Sequence, residues 1–125
     1  MGVSTSARGD SSVILLGPGS KADTAAASSG WVQIGHYKGE ALVTAIFGTV
    51  VGTVAGKIQT ATDSGGTGAA DVTGATFTSV TSSNDDASYT IAVPKSAGPY
   101  IRYVGTVTTG PAALAVILQA HPGVV

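Results

Sequence analysis

TVAGKIQTATDSGGTGAADVTGATF, residues 53–77, decides the fold. Val54, Gly56, Ile58 and Thr60 fall on one side of an extended chain, and Lys57 and Gln59 fall on the other. Side chains alternate across a strand, so this period of two predicts a half-buried β-strand. Residues 63–68 follow as a tight connection, because their glycines admit positive φ. The pattern resumes at Ala70, with Gly74 marking a bulge or a bend.

The same alternation extends in both directions. SVILLG, residues 12–17, is a short apolar strand. Residues 31–37 form another, and Lys38, Gly39 and Glu40 read as a turn. Residues 41–50 are apolar and rich in β-branched side chains, which favour strands. Residues 83–88 are a polar turn. Tyr89, Ile91 and Val93 then share a face, and Pro94 stops that strand or marks a sheet edge. In residues 100–108, Ile101, Tyr103 and Val107 face one way, while Tyr100, Arg102 and Val104 face the other. Thr109, Gly110 and Pro111 turn the chain. Residues 112–120 are apolar on both sides, which suggests a central or interface strand, and residues 121–125 read as a tail. Residues 18–30 mix turn signals with alanines and lack a large apolar stripe, so a loop or arm is expected, with one helical turn at 23–27 as the alternative.

Many short strands with a turn every eight to twelve residues predict an all-β chain, a single β-sandwich of jelly-roll or immunoglobulin-like type. The expected division is a flexible or extended N-terminal arm over residues 1–30, with a short strand in it, and a sandwich over 31–125.

Composition narrows the function. Charged residues are 10% of the 125, with six basic and seven acidic side chains and a net charge of -1. A soluble domain ordinarily carries about 25% charge. The basic residues are few and dispersed, which argues against direct nucleic-acid binding. There is no cysteine, so disulfides, zinc thiolates and cysteine nucleophiles are excluded. The longest apolar run, residues 112–120, is far short of the ~20 residues of a membrane helix, and no basic leader with an apolar core opens the chain. The expectation is a protein that is soluble inside the cell that makes it and does not enter a membrane.

No reactive constellation stands out. His36 and His121 have no carboxylate set to complete a metal site, and no G-x-S-x-G elbow supports a serine nucleophile. Asn84, Asp85 and Asp86 are hard ligands suited to calcium, but the wider ligand spread is missing, so a solvated turn is the simpler reading. The glycines of residues 62–71 lack the Lys-Ser/Thr pair of a phosphate loop. RGD at residues 8–10 matches an adhesion tripeptide that is short enough to recur by chance. The expectation is a protein that is not an enzyme and needs no cofactor or metal.

Three segments carry a resemblance: W-V-Q-I-G-x-Y-x-G from Trp31, GKIQTATDSGG with ADVTGATFTSVT from Gly56, and YIRYVGTVTTGPAALAVIL from Tyr100. They resemble small virion proteins of tailed bacteriophages and prophages, the head decoration or cement proteins, whose members read K-I-Q-x-S-x-D-G-x-x-W-x-D-V-T-G-A-x-F and K-R-Y-I-R-V. The resemblance spans residues 31–119. It maps onto Lys57, Ile58, Gln59, Asp63, Gly65, residues 71–77 and residues 100–103 as scaffold positions. The family's tryptophan is replaced here by small residues at 68–70, and its basic residue before Tyr100 by Gly98 and Pro99.

The resemblance implies a structural protein on the exterior of an icosahedral head that bridges subunits of the major capsid protein. It also implies a homo-oligomer, a trimer before a dimer. The residues expected to make capsid or subunit contacts are Arg8, Asp10, Val13, Ile14, Leu15, Leu16, Lys21, Trp31, Tyr100 and Arg102. A tail or neck protein and a carbohydrate- or host-surface-binding module are the alternatives.

Overall fold

The structure is a computed structural model, and it describes residues 11–34, 37–94 and 98–122. The described residues form eight strands: β1 (Ser11–Lys21), β2 (Val32–Gln33), β3 (Tyr37–Val50), β4 (Thr53–Ala61), β5 (Ala70–Thr76), β6 (Ser88–Val93), β7 (Tyr100–Thr108) and β8 (Ala112–Pro122). No α-helix occurs among the described residues. The strands form two four-stranded sheets, β1-β8-β3-β6 and β2-β7-β4-β5. Every pairing is antiparallel.

The period-two reading holds from Val54 to Gln59, whereas Thr60, expected on the buried face, is half-buried and Ala61, of the other parity, is buried. Val54, Gly56 and Ile58 are buried, and Lys57 and Gln59 are on the outer side. Gly74 adopts φ +80°. Between the pairs Lys57–Thr76 and Gln59–Asp71, β5 contains more residues than β4 opposite it, so this glycine sits in an irregular bulge. β8 is central, with β1 on one side and β3 on the other.

The core fills the space between the sheets. Val43, Ala45 and Phe47 of β3 and Leu114, Val116 and Leu118 of β8 face Val54, Ile58, Ile101 and Tyr103 of the second sheet. Phe77 meets the Tyr103 ring edge-on at 5.7 Å between centroids. Tyr103 lies over two glycines: a Cβ on Gly56 would stand 2.5 Å from its hydroxyl oxygen, and one on Gly105 would stand 2.9 Å from its ring. Glycine is needed there because the ring occupies the space of a side chain.

Three expectations are corrected. First, residues 11–30 are part of the sandwich. β1 pairs along β8 from Ser11 to Lys21. Asp23 caps a single turn, its carboxylate accepting the Ala26 N–H at 2.9 Å, while the Ala27 N–H bonds the Asp23 carbonyl at 3.1 Å. Ala27 is fully buried. β2 covers only Tyr100 and Ile101 of β7, and the turn segment supplies the rest of that edge. Ser29 N–H donates to the Tyr103 carbonyl, the Gly105 N–H to the Ala27 carbonyl, and the Val107 N–H to the Thr24 hydroxyl. An exposed sheet edge is thereby closed.

Second, Lys38, Gly39 and Glu40 are not a turn but lie in β3, where the register against β8 shifts between Lys38 and Leu42. Of residues 31–37, Val32 and Gln33 form β2 and Tyr37 opens β3, while Gly35 and His36 lie outside the described residues. Third, His121 and Pro122 belong to β8 rather than to a tail, opposite Lys38 and Tyr37.

Candidate interaction surfaces

The two outer faces of the sandwich differ in chemistry. On the β2-β7-β4-β5 sheet, polar side chains form a ladder across the strands. Lys57 Nζ contacts both Asp71 carboxylate oxygens, at 3.1 and 3.2 Å. Gln59 donates its amide to Asp71 at 3.0 Å, and its carbonyl oxygen accepts two bonds from the Arg102 guanidinium, at 2.8 and 3.1 Å. Arg102 in turn stacks over the Trp31 ring, 4.7 Å from its centroid. Trp31 also abuts the β4–β5 connection, where a Cβ on Gly66 would come within 2.8 Å of the indole nitrogen.

This ladder fixes the protonation of its acid. The hydrogen bond from Gln59, and then the Lys57 ammonium, hold Asp71 below its ordinary value of 3.8. Asp63 is also lowered, chiefly by hydrogen bonds from Thr67. A depressed folded-state pKa contributes stability above the unfolded value and loses it as pH falls through the folded value. The melting temperature should therefore drop as pH falls below about 4. Asp71→Asn should have a shallower acid slope in thermal melts, and an unchanged slope would mean that the ladder is not formed in solution.

The described outer face of the β1-β8-β3-β6 sheet mixes apolar with small uncharged polar side chains. Ile14, Ile117, Thr44 and Thr90 align in one row across the strands, and the two threonine hydroxyls bond each other at 2.8 Å. Ser12, Gln119, Leu42 and Ala92 form the next row, and Ala115, Ile46 and Ser88 a third. Ile14 is 65% exposed, Ile46 44% and Leu42 42%. No described side chain in these rows is charged. A dent of about 280 Å³ opens on this face, with Pro18, Gly19, Ile46, Gly48, Ala113 and Ala115 on its walls.

The expected contact residues separate accordingly. Ile14 is exposed on the apolar face, and Val13 is half-buried beside it. Leu15 and Leu16 are only 8% exposed and belong to the core, so their expected role as surface contacts is corrected. The register shift between Ile14 and Leu16 lets both leucines face inward. Lys21 is half-buried at the end of β1. Trp31 and Arg102 touch each other on the polar face, and the half-buried Tyr100 is on the same strand as Arg102. Arg8 and Asp10 lie outside the described residues. Leu42, Ile46 and Ala115 were not singled out from the sequence; the signal was their apolar character on both parities of β3 and β8.

Asn84 and Asp85 bind backbone. Asn84 Oδ1 accepts the Thr81 N–H at 2.7 Å, and Asp85 accepts the Val50 N–H at 2.8 Å. Among the described residues no group of three His, Cys, Asp or Glu could hold a metal ion. No helix among the described residues is long and apolar enough to cross a membrane. No protein family, curated protein or solved structure matches the chain.

Proposed function

We propose that the chain is a structural virion protein that decorates the outside of an icosahedral phage head and stabilises it by bridging major capsid protein subunits. The observation that carries this reading is the outer face of the β1-β8-β3-β6 sheet, whose described rows carry no charge and expose Ile14, Leu42 and Ile46. A sheet that faces water ordinarily alternates apolar-in and polar-out. One that keeps isoleucine, leucine and alanine outside suits a covered position in an assembly.

We read the strand order as a jelly roll. First pairs with eighth, second with seventh, third with sixth and fourth with fifth, as in a long hairpin rolled over itself. An immunoglobulin-type sandwich pairs its first two strands in one sheet, whereas β1 and β2 lie in different sheets here. Jelly rolls recur in viral capsid domains, in agreement with the resemblance of residues 31–119. A fold hosts many functions, so the surface chemistry is the stronger support.

In this reading the polar face, with Trp31, Tyr100 and Arg102, lies toward the capsid, and the apolar face meets other subunits. The protein is a homo-oligomer without catalytic role, cofactor, metal, membrane or direct nucleic-acid contact. Repetition over the shell makes weak individual contacts sufficient.

Co-sedimentation of the purified protein with undecorated heads of the phage that encodes it tests this. Saturable binding and a higher temperature of DNA release are expected, with Arg102→Glu weakening binding at least tenfold. Heads that neither bind the protein nor gain stability would overturn the reading. The second reading, a carbohydrate-binding module, has one observation in its favour: lectins also use jelly rolls. Against it, Arg102 already stacks on the Trp31 ring.

A further inference from the structure

We propose that the free edge of β6 pairs with the β6 edge of a second copy of this chain, antiparallel about a two-fold axis normal to the sheet. This goes beyond capsid decoration and is tested without a capsid.

The sheet edges are not alike. An edge strand offers unpaired N–H and C=O groups, and proteins blunt it with charge, proline, bulges or short length. β1 has two register shifts and contains Pro18 and Lys21. β5 carries Asp71 and the bulge at Gly74. β2 is two residues long, and the backbone of Ala27 and Ser29 bonds β7 beside it. β6 has none of these devices. It pairs with β3 through six consecutive residues without a shift, from Ser88 opposite Ile46 to Val93 opposite Ala41. None of its residues is charged, proline or glycine.

The ladder fixes which of its backbone groups are free. The Phe47 N–H donates to the Ala87 carbonyl at 2.8 Å, in the register of the strand pair. Opposed residues of an antiparallel pair alternate between bonded and non-bonded. Tyr89, Ile91 and Val93 therefore bond β3, while Ser88, Thr90 and Ala92 turn their N–H and C=O groups toward the open edge. All three of the latter are exposed. The hydroxyl bond between Thr44 and Thr90 agrees, because side chains approach most closely at a non-bonded pair.

The strand is complementary to itself. In one antiparallel register Thr90 meets its own counterpart, Ser88 meets Ala92 of the second copy, and every outward group finds a partner. The smallest slip that keeps the faces matched is two residues. It sets Ser88 against Pro94, which has no N–H, or Ala92 against Asp86, whose φ of +52° is not extended. On the inner side the chosen register places Tyr89 against Ile91 of the second copy, twice. Both side chains are half-buried and pack on the core, and an aromatic opposite a β-branched residue is a favourable cross-strand pair, as is threonine opposite threonine. These matches come from the strand's own sequence, which selects a second copy as the occupant.

Orientation agrees with the proposed capsid contact. A two-fold axis normal to the sheet leaves the faces of both copies pointing the same way, so both pairs of Trp31 and Arg102 lie on one side of the dimer. The edge is roughly 20 Å long and about 10 Å deep, well below the ~800 Å² per partner of a stable interface. The pairing is therefore weak between free chains and accumulates where copies are crowded.

The chain has no cysteine, so single introduced cysteines report the register. Opposed Cα atoms of a bonded pair are about 5.5 Å apart, within disulfide reach. With oxidised glutathione and concentrated chain, Thr90→Cys should cross-link to itself at least ~10-fold faster than Thr106→Cys, which is exposed on the other sheet. Ser88→Cys alone should remain uncross-linked, because its counterpart is displaced by about 14 Å. Mixed with Ala92→Cys, it should give the mixed dimer, identified by mass. The substituted side chains are exposed, so the reduced variants should keep the wild-type circular dichroism spectrum. Equal rates for Thr90→Cys and Thr106→Cys would overturn the pairing, and rapid cross-linking of Ser88→Cys to itself would overturn its register.

Discussion

Deletion of residues 1–30 is expected to abolish cooperative folding. The deletion removes β1 from the edge of β8 and takes Leu15 and Leu16 out of the core. It also removes Ala27, which is fully buried, and Ser29, whose hydroxyl accepts the Tyr103 N–H at 2.9 Å. Loss of a single buried leucine side chain costs about 2–5 kcal/mol. Two such losses come to about 4–10 kcal/mol, comparable with a typical net stability of about 5–15 kcal/mol, and the uncovered β7 edge adds to them. Circular dichroism followed through a urea titration should give no sigmoidal transition. A truncated chain that unfolds cooperatively at the wild-type midpoint would mean that these residues are a detachable arm after all.

Gly56→Ala is expected to destabilise the protein by about 1–3 kcal/mol, the usual range for overpacking a filled core. In an unconstrained strand the same change is favourable by roughly 0.5–1 kcal/mol, so the sign is diagnostic. Its new methyl would collide with the Tyr103 hydroxyl and ring carbons. Two further variants isolate the cause. Tyr103→Leu removes the ring, so Gly56→Ala should cost at least about 1 kcal/mol less in that background, as expected for residues in contact. Tyr103→Phe keeps the ring but removes a buried hydroxyl that has no hydrogen-bond partner among the described residues. It should be neutral or stabilising by about 1 kcal/mol. Additive effects of Gly56→Ala and Tyr103→Leu would contradict this packing.

The sequence made β4 and its hairpin legible because one local rule, alternation, coincides there with burial. The same holds for β7, where Ile101 and Tyr103 are inward and Arg102 outward. Alternation fails at Leu15 and Leu16, where a register shift lets neighbouring residues face inward, and no local signal marks the shift. It fails also at residues 22–30. Alanine and serine have no large apolar side chain to announce burial, and their place is set by hydrogen bonds to β7, distant in sequence. Lys38, Gly39 and Glu40 have turn chemistry but extend β3.

The apolar face was legible only in part. The two-sided character of residues 112–120 pointed to a central or interface strand, and β8 is central. That its outward residues join Ile14, Leu42 and Ile46 required the strand order. The polar ladder depends on the same long-range register, which sets Gln59 opposite both Asp71 and Arg102.

The proposed decoration role is the central claim, and cryo-electron microscopy of virions purified from the source that encodes this chain tests it most directly. The account predicts density for this sandwich at regular positions between capsomers on the outside of the head, with Trp31 and Arg102 toward the shell. A bare head, with the protein at the tail or missing from the particle, would contradict it.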